Sequence, residues 1–456
     1  MRRARPALLA STTLLAAALL AVGNPPSAPS ATDAEKQARL GIFYFGGWSG
    51  TLANFHFTGL LSSPYTGRQP LYGWLDNTTQ TMRTQLYWAN RMGADFFNFL
   101  WYYRPERVPG DDPYLNRALG NYLALKDHQG VGFAITYTNH TTFAIPRAEW
   151  RAVAEAWVTR YFSHPDYVRI AGKPVLFVHD STGLWEQLGR SDANVNAALA
   201  ELRTAARAHG LPGVVVVGGH YVEARSDWEY YPEPYAGQEW DAITQYGYPA
   251  LPGFADGERP YRDVVSAART MWDRFGARSV QPYVPVVMTG WDPRPWREDV
   301  DGHLFWYTRS PEEVGGLVRD AVDWVARNPR MLLDGGPPLV MLTAWNELGE
   351  GMYVLPTKQD GFAYGQAIAS AIGLQWNPQK RALSIAVRGN GSVRVQGSRC
   401  SPSCSRRFDE GLVASLRARP APGYRFRGWS GACSGRKVTC TILMDRTRSA
   451  VARFVR

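Results

Sequence analysis

The strongest constraint on the fold is an alternation of two kinds of segment between Gly41 and Ala344. Short runs that are apolar nearly throughout are separated by longer segments whose apolar residues recur at helical spacing. Eight such runs occur, at residues 41–47, 94–103, 131–139, 173–180, 213–221, 241–248, 282–291 and 338–347. Helical spacing is clearest at residues 81–93, 148–162, 195–210 and 311–328. Strands of this composition are typical of a parallel sheet covered by helices, and eight units predict an α/β fold, the (β/α)8 TIM barrel.

Polar and aromatic side chains are concentrated at the carboxyl ends of these runs. In such barrels the chemistry lies at those ends, because the loops there converge on one mouth. Aromatic rings at that edge are candidates to stack on sugar rings, and polar groups are candidates to bond hydroxyls. Each residue alone is also compatible with barrel packing or a satisfied strand-end group. The predicted substrate-binding set is Tyr44, Trp48, Trp101, Tyr137, Asn139, His179, Gln245, Tyr246, Trp291, Asp292 and Asn346.

Two glutamates follow the last apolar run, in the stretch AWNELGEG at residues 344–351. Glu347 and Glu350 are three apart, so on a turn their Cβ atoms lie roughly 5–6 Å from each other on one face. At that distance each carboxyl raises the proton affinity of the other, so that one stays protonated while the other is ionised. Sugar acetals are cleaved by such pairs. We predict that both are catalytic; two solvated surface charges are the alternative.

The N-terminus has the order of a secretory signal. Arg2, Arg3 and Arg5 precede an apolar stretch at residues 7–22 and a Pro-, Ser- and Ala-rich stretch at 24–34. This order predicts a signal peptide at residues 1–32 and a secreted, extracellular protein exported by a bacterium. An uncleaved membrane anchor is the alternative.

The pattern changes near residue 376. A polar link that contains a proline follows a last helical segment at 360–373. Short β-like segments with Gly and Pro turns come next, and they predict a small antiparallel module with a hairpin turn at GNG, residues 389–391. The predicted domains are the barrel at 33–375, a linker at 376–382 and an all-β module at 383–456.

All four cysteines lie in the last module, at Cys400, Cys404, Cys433 and Cys440. Clustered, even-numbered cysteines in an exported chain are typical of disulfides. Their spacings are not those of paired CxxC knuckles, which disfavours the alternative of a zinc site, and we predict no metal. Four cysteines allow three connectivities.

The formal net charge of +10 is unevenly spread, because residues 381–456 hold 16 Arg and Lys against 3 Asp and Glu. A basic module of this kind is able to adhere to anionic cell-wall polymers, and a role in solubility alone is the alternative. No nucleic-acid reading motif accompanies the charge, so we predict no nucleic-acid partner.

Several pieces of this module carry a family resemblance. GNGSV (389–393), the CxxxC at 400–404, RARPAPGYRFRGWSGAC (417–433) and the closing AVARF (450–454) together resemble the divergent internalin-type bacterial repeat of secreted proteins. The resemblance covers nearly all of 383–456. It implies a surface attachment without chemistry, the pairings Cys400–Cys404 and Cys433–Cys440, and Trp429 as a core aromatic.

The stretch with the two glutamates carries a second resemblance. Residues 344–368, AWNELGEGMYVLPTKQDGFAYGQAI, are similar to the NEWxEG…P…G-Y motif of the WbsX-like proteins, which are related to the endo-α-mannosidases of glycoside hydrolase family 99. GIFYFGGW (41–48), the segment 161–178 and VVMTGWDPRP (286–295) resemble the same family. The similarity covers most of 41–373.

The resemblance implies a mechanism for the pair. Glu347 would act as a base on the sugar's 2-hydroxyl, which attacks the anomeric carbon, and Glu350 would be the general acid and then the base for water. Net configuration would be retained and the action endo, with no cofactor. Leu348 stands in place of the family's usual Trp, and Leu355 and Thr357 stand where relatives often carry acids. These departures leave the sugar open.

The prediction is therefore a secreted glycoside hydrolase that acts on an oligosaccharide or polysaccharide. A glycosyltransferase-like protein of polysaccharide biosynthesis is one alternative, since WbsX-like proteins are often linked to that process. A non-catalytic glycan-binding or cell-wall protein is another.

Overall fold

The computed structural model describes residues 38–456 apart from 55, 106–111, 221–235, 251–252, 254–255, 298, 301 and 334–335. The predicted signal peptide lies outside the described residues, as does Tyr221 at the end of the fifth apolar run. Among the described residues, no helix has both the length and the apolar composition needed to span a bilayer.

The N-terminal part contains strands β1 to β13, numbered in chain order. They are β1 (Arg39–Tyr44), β2 (Phe96–Trp101), β3 (Gly132–Tyr137), β4 (Arg169–Ile170), β5 (Lys173–Val178), β6 (Val215–Gly219), β7 (Ala242–Thr244), β8 (Gly257–Pro260), β9 (Val286–Met288), β10 (Phe305–Thr308), β11 (Leu339–Thr343), β12 (Asn346–Glu347) and β13 (Met352–Tyr353). The α-helices are α1 (Gly59–Ser62), α2 (Thr79–Met92), α3 (Arg117–Leu123), α4 (Trp150–Trp157), α5 (Ser181–Gln187), α6 (Asp192–Ala208), α7 (Arg262–Arg278), α8 (Pro311–Arg327) and α9 (Ala363–Ala371).

Eight parallel strands form the barrel predicted from the apolar runs. Their order is β7-β6-β5-β3-β2-β1-β11-β9, and β4 pairs antiparallel with β5 outside this path. The ends of the path meet through a parallel bridge between Ile243 of β7 and Tyr283, three residues before β9. Ile243 N donates to Pro282 O and Val284 N donates to Ile243 O, both at 2.9 Å, so the sheet closes.

Burial on both faces explains why the strands lack a polar side. All six residues of β2 are buried, and in β1 the adjacent Phe43 and Tyr44 are both buried although they point to opposite faces. Phe43 fills the barrel interior, where its ring lies 6.1 Å from Phe177 of β5 and 5.1 Å from Tyr246 beyond β7. The other face packs on the helices.

Local signals fix the helix ends. Helix α2 begins at the N-cap Thr78, whose side chain accepts from Thr81 N, and ends at Gly93, which has a φ of +93°. Helix α8 begins with a capping box between Ser310 and Glu313 and has Pro311 in its first turn. These helices therefore start and stop close to the predicted residues 81–93 and 311–328.

The C-terminal part is an all-β domain. Its strands are β14 (Arg381–Arg388), β15 (Gly391–Val395), β16 (Ser398–Cys400), β17 (Ser403–Phe408), β18 (Val413–Pro420), β19 (Arg425–Gly431), β20 (Thr439–Leu443) and β21 (Arg448–Val455). They form two four-stranded sheets, β17-β14-β21-β19 and β16-β15-β18-β20, which share one hydrophobic core. The disulfides Cys400–Cys404 and Cys433–Cys440 are present, as the repeat resemblance implied, and Trp429 is buried in the core.

Two local predictions for this domain were wrong. The GNG segment is not a hairpin turn, because β14 and β15 belong to different sheets and the turn carries the chain across the core. A Cβ on Gly389 would lie 2.2 Å from Phe454 O, so glycine serves a close approach of two backbones there. The module is also not purely antiparallel, since β14 and β21 pair in parallel; they are distant in sequence and no short turn constrains them.

The two domains contact each other through Glu410 of the C-terminal domain, which is 2% exposed. Its Oε1 accepts from Tyr87 Oη at 2.8 Å and its backbone oxygen accepts from Trp88 Nε1 at 2.7 Å, both on α2. Its Oε2 accepts from Arg381 Nε at 3.0 Å. This buried junction sets the repeat domain against the outer face of α2.

Candidate active site

The two glutamates stand on a tight turn at the carboxyl end of the last barrel strand. β11 ends at Thr343, and after two further residues β12 begins at Asn346 and pairs antiparallel with β13. Glu347 lies in β12 and is 4% exposed, whereas Glu350 lies in the turn and is half-buried. A strand that leaves the barrel and folds straight back therefore delivers both carboxyl groups at the mouth.

Glu347 is held by a tyrosine that follows β7, which lies two strands from β11 around the closed barrel. Tyr246 Oη, two residues beyond β7, donates to Glu347 Oε1 at 2.5 Å. A short bond from a hydroxyl to a carboxyl oxygen stabilises the ionised form of the acid. Glu347 is thus arranged as a proton acceptor.

The charges of both carboxyl groups raise the pKa of the same two tyrosines, Tyr246 and Tyr102. Burial, and then the charges of Glu347 and Glu350, raises the pKa of Tyr246 well above its ordinary value. The same causes, in the same order, raise the pKa of Tyr102, which follows β2. Glu347, Glu350, Tyr102 and Tyr246 therefore share one electrostatic environment, which combines residues from three barrel strands.

The turn between the glutamates is clamped by a buried arginine. Arg68, 5% exposed, donates from Nη1 to Leu348 O at 2.8 Å and to Asp292 O at 3.1 Å, and it forms an ion pair with the Asp292 carboxylate. Asp292 N donates to Glu350 O at 2.5 Å. Asp292 also pairs with Arg294, whose Nε lies 2.7 Å from Oδ1. Asp292 thus holds the backbone of the turn.

Glycines let aromatic and backbone atoms approach this turn. A Cβ on Gly349 would lie 1.9 Å from the Trp296 ring, so the indole packs directly on the backbone between the two glutamates. Gly351 has a φ of +72° and a Cβ there would lie 2.8 Å from Asp292 N. Neither position accepts a side chain without displacement of its neighbour.

An aromatic wall stands beside the turn. Trp48 and Trp296 are stacked, with ring centroids 6.1 Å apart, and Trp48 Nε1 donates to Asn346 O at 2.7 Å. His56 and Phe45 pack edge-on at 5.0 Å, and burial lowers the pKa of His56 to about 4. Trp48 and Phe45 are buried, and the half-buried ring of Trp296 is the part of this wall suited to the apolar face of a sugar.

His179 lies on the other side of Tyr246. Its ring is 5.0 Å from Tyr246 and 4.9 Å from His140. Burial, and then the charge of His140, lowers the pKa of His179 to about 3, so the ring is neutral at ordinary pH. Asn139 lies next to this pair and forms two hydrogen bonds with the backbone of Asp180, at 2.7 and 2.9 Å. It joins two neighbouring loops of the mouth.

Four of the predicted substrate-binding residues face the helix layer instead of the mouth. Tyr44 is bonded to Asp76 and to Gln85 of α2. Trp101 and Tyr137 pack on Trp157 of α4, at 5.1 and 5.6 Å. The fourth, Gln245, accepts from Tyr283 Oη at 2.7 Å, and Tyr283 stacks on Phe275 of α7.

The remaining predicted residues lie at the mouth but are engaged within the protein. The Asn346 amide, fully buried, bonds Phe45 O and Phe45 N, each at 2.8 Å, and so fixes the start of the first loop against β12. Trp291 is 7% exposed and its backbone oxygen accepts from Tyr307 N. Leu348 and Leu355, the departures from the family motif, are buried apolar residues.

Three residues of this site escape sequence reasoning. Tyr102 differs from the predicted Trp101 by one position, and hence by the face to which it points. Arg68 and Trp296 come from long loops after β1 and β9, whose return to the mouth no local pattern marks. Among the described residues, no cluster of three or more His, Cys, Asp or Glu side chains is arranged to hold a metal ion.

Comparisons with known proteins agree with this architecture. Residues 144–368 match the family model described as Glycosyltransferase WbsX, and residues 382–456 match the Divergent InlB B-repeat domain. A search of curated proteins found no match. Among solved structures, a glycoside hydrolase-like protein is 13% identical, with a TM-score of 0.52 over 78% of this chain and 98% of its own.

A second solved structure is the GH99 endo-alpha-mannosidase from Bacteroides thetaiotaomicron. It is 16% identical, with a TM-score of 0.51, and the alignment covers 73% of this chain and 95% of that one. At such identities the likeness shows the fold. The chain therefore consists of a barrel that resembles the WbsX model over residues 144–368 and shares its fold with the GH99 enzyme, followed by a domain that matches the divergent InlB B-repeat model.

Proposed function

We propose that this protein is a glycoside hydrolase in which Glu347 and Glu350 are the catalytic pair. The observation that carries the proposal is the placement of both carboxyl groups on one tight turn at the mouth of the barrel, where Glu347 accepts a hydrogen bond from Tyr246. Two acidic groups in one partly dry site resist ionising together, and this divides them into an acid and a base.

The contacts support different roles for the two residues. Glu347 accepts from Tyr246 and is kept as a carboxylate, which suits a base. In the proposed first step it takes the proton of the sugar's 2-hydroxyl while that oxygen bonds to the anomeric carbon. Glu350 gives its proton to the departing glycosidic oxygen as the old bond breaks.

The second step restores both groups. The first step closes a three-membered ring of the anomeric carbon, C2 and the 2-oxygen. Water then adds to the anomeric carbon and opens this ring, Glu350 takes a proton from the water, and Glu347 returns its proton to the 2-oxygen. Two displacements at one carbon leave its configuration retained. Tyr246 holds Glu347 in place throughout, and the Arg68–Asp292 clamp holds the backbone of the turn.

The substrate that we propose is an oligosaccharide or polysaccharide with a free 2-hydroxyl at the cleaved unit, bound against the half-buried ring of Trp296, which is backed by the buried Trp48. The N-terminal pattern of residues 1–32 supports export from the cell, which would place the enzyme among extracellular glycans.

The test is turnover on α-mannan, α-glucans and bacterial cell-wall polysaccharides, measured as released reducing ends. Glu350→Gln and Glu347→Gln should each lower kcat by about 100-fold or more on the substrate that is cleaved. Glu186→Gln, which changes an exposed glutamate on α5, is the matched control and should leave kcat unchanged. A Glu350→Gln protein of wild-type activity would contradict the proposal. A 2-deoxy analogue should resist cleavage if the 2-hydroxyl takes part.

A glycosyltransferase is the second candidate, because the matching family model carries that description. The two activities separate by the need for an activated donor. Cleavage of a glycan by the purified protein in buffer alone supports the hydrolase, whereas transfer that requires a nucleotide sugar or a lipid-linked sugar supports the transferase.

A further inference from the structure

A groove lies between the two domains, on the side of the barrel where α2 begins. It has a volume of about 790 Å³. One wall consists of the loop before α2 and the first turns of that helix, including Tyr72, Thr78 and Thr81. The other wall is the outer face of the repeat-domain sheet β16-β15-β18-β20, including Ser415, Arg417 and Thr441.

Four arginines are gathered on this face of the sheet. Arg394 is directly opposite Arg399 on one neighbouring strand and Arg417 on the other, and Arg419 lies two residues beyond Arg417. Residues directly opposite each other, or two apart along a strand, project to one face, so all four point outward, and all four are exposed. We call Arg394, Arg399, Arg417 and Arg419 the arginine row.

The arginine row has no counter-charge in its own domain. The three acidic residues of 381–456 are already paired elsewhere: Asp409 with Lys380, Glu410 with Arg381, and Asp445 with Arg448. Like charges directly opposite each other on neighbouring strands destabilise a sheet. The row therefore costs stability in the free protein, and an anion bound along it would remove that cost.

The chemistry of the groove favours one class of anion. Side chains with hydroxyl or amide groups line both walls, among them Thr78, Thr81, Gln396, Ser415 and Thr441. Such groups bond sugar hydroxyls, and guanidinium groups bond carboxylates or phosphates in a fork. Non-specific binding of single-stranded nucleic acid relies on aromatic platforms for successive bases, and Tyr72 is the one aromatic residue among the groove residues that the structure describes.

The groove is also continuous with the loop that builds the candidate active site. Leu71, in the groove wall, donates from its backbone N to Pro356 O at 3.1 Å, and Arg68, three residues earlier, clamps the turn between the glutamates. We infer that the groove and its arginine row are a binding site for an anionic polysaccharide, one that bears a carboxylate or phosphate on its repeating unit. This inference concerns binding and holds or fails independently of the proposed hydrolase activity.

The experiment measures binding of the full chain to four labelled probes at low salt: an oligogalacturonate, a poly(glycerol phosphate), a neutral mannan and single-stranded DNA. The oligogalacturonate and poly(glycerol phosphate) arms distinguish carboxylate from phosphate. Arg394→Gln/Arg417→Gln should weaken binding of the preferred anionic polymer by about tenfold or more, since two charge-assisted contacts are lost.

Arg388→Gln/Arg453→Gln is the matched control. These two exposed arginines face each other on the other sheet of the same domain, so the change in net charge is identical. The control should bind within about twofold of wild type. Equal loss in both double variants, no binding of either anionic polymer, or tighter binding of DNA than of both would each overturn the inference.

Discussion

The hydrogen bond from Tyr246 to Glu347 gives the sharpest test of the site. Tyr246→Phe removes one hydroxyl and keeps the ring, whose contacts with Phe43 at 5.1 Å and His179 at 5.0 Å hold it in place. The lost bond stabilised the ionised carboxyl, so the variant should hold a proton on Glu347 up to a higher pH.

The size of the effect follows from the kind of bond. A hydrogen bond to a charged group contributes about 1.5–3 kcal/mol. Since about 1.4 kcal/mol corresponds to one pH unit, the acidic limb of the pH–rate profile should move upward by about 1–2 units. On that limb kcat/KM should fall by about 10- to 100-fold, and it should recover on the alkaline side.

The assay is kcat/KM against pH on the glycan that the wild-type protein cleaves. Tyr248→Phe is the matched control, because Tyr248 is a fully buried tyrosine whose hydroxyl donates to the backbone oxygen of Val286 at 2.9 Å. It should lower the free energy of unfolding by about 1–3 kcal/mol, because Val286 O and Met288 N both lose the hydroxyl, and leave the acidic limb where it is. A Tyr246→Phe profile that superimposes on the wild-type profile would refute the role given to this bond.

Three further changes test the supports of the site. Arg68→Met should lower the free energy of unfolding by about 3–5 kcal/mol, measured by urea denaturation, because it leaves the Asp292 carboxylate with less compensation and two backbone oxygens without their donor. Gly349→Ala should lower kcat by about tenfold or more at unchanged fold, since the new methyl group meets the Trp296 ring and shifts the turn. Asp76→Asn should change how stability depends on pH, because burial raises the pKa of Asp76 to about 6.

The sign for Asp76 is opposite to that of a salt-bridged acid. The unfolded chain loses this proton near pH 4 and the folded chain near pH 6, so folding binds a proton between these values. The stability of wild type relative to Asp76→Asn should therefore fall by about 2 kcal/mol as the pH rises from 4 to 6, out of about 3 kcal/mol over the whole titration. A difference that is constant over this range would contradict the buried, proton-binding state of Asp76.

Controls for the other two changes use a more exposed arginine and a glycine with open space around it. Arg294→Met removes the more exposed partner of Asp292 and should cost less than half as much stability as Arg68→Met. A Gly316→Ala protein, in which the new Cβ meets nothing within 4 Å, should retain wild-type kcat. An equal loss of stability in Arg294→Met and Arg68→Met would contradict the role given to Arg68. An equal loss of kcat in Gly316→Ala and Gly349→Ala would contradict the role given to the contact between Gly349 and Trp296.

The sequence predicts the barrel well because both faces of a parallel strand must be apolar. Each run therefore stands out from the amphipathic helices beside it. The same property hides the direction of the side chains. Phe43 points into the barrel and Tyr44 to α2, yet both are buried aromatic residues, and no polar face reveals the register.

The strand ends therefore predict which edge of the sheet carries the candidate site, but not which residue at that edge points into it. Trp101 packs on α4, and its neighbour Tyr102 shares the environment of the two glutamates. Arg68 lies 24 positions beyond β1, and its contact with the turn 280 residues later depends on the closed barrel. Long-range contacts of this kind have no local sequence signal.

The junction at Glu410 changes how the repeat domain should be regarded. Removal of residues 382–456 would leave the Tyr87 hydroxyl and the Trp88 indole N–H of α2 without the acceptors they now use. Gly411 packs against the same two rings, so an apolar strip of the barrel surface would also be exposed to solvent. The repeat domain is in this respect part of the barrel's outer layer, and a truncated barrel should aggregate through the apolar surface that its removal exposes.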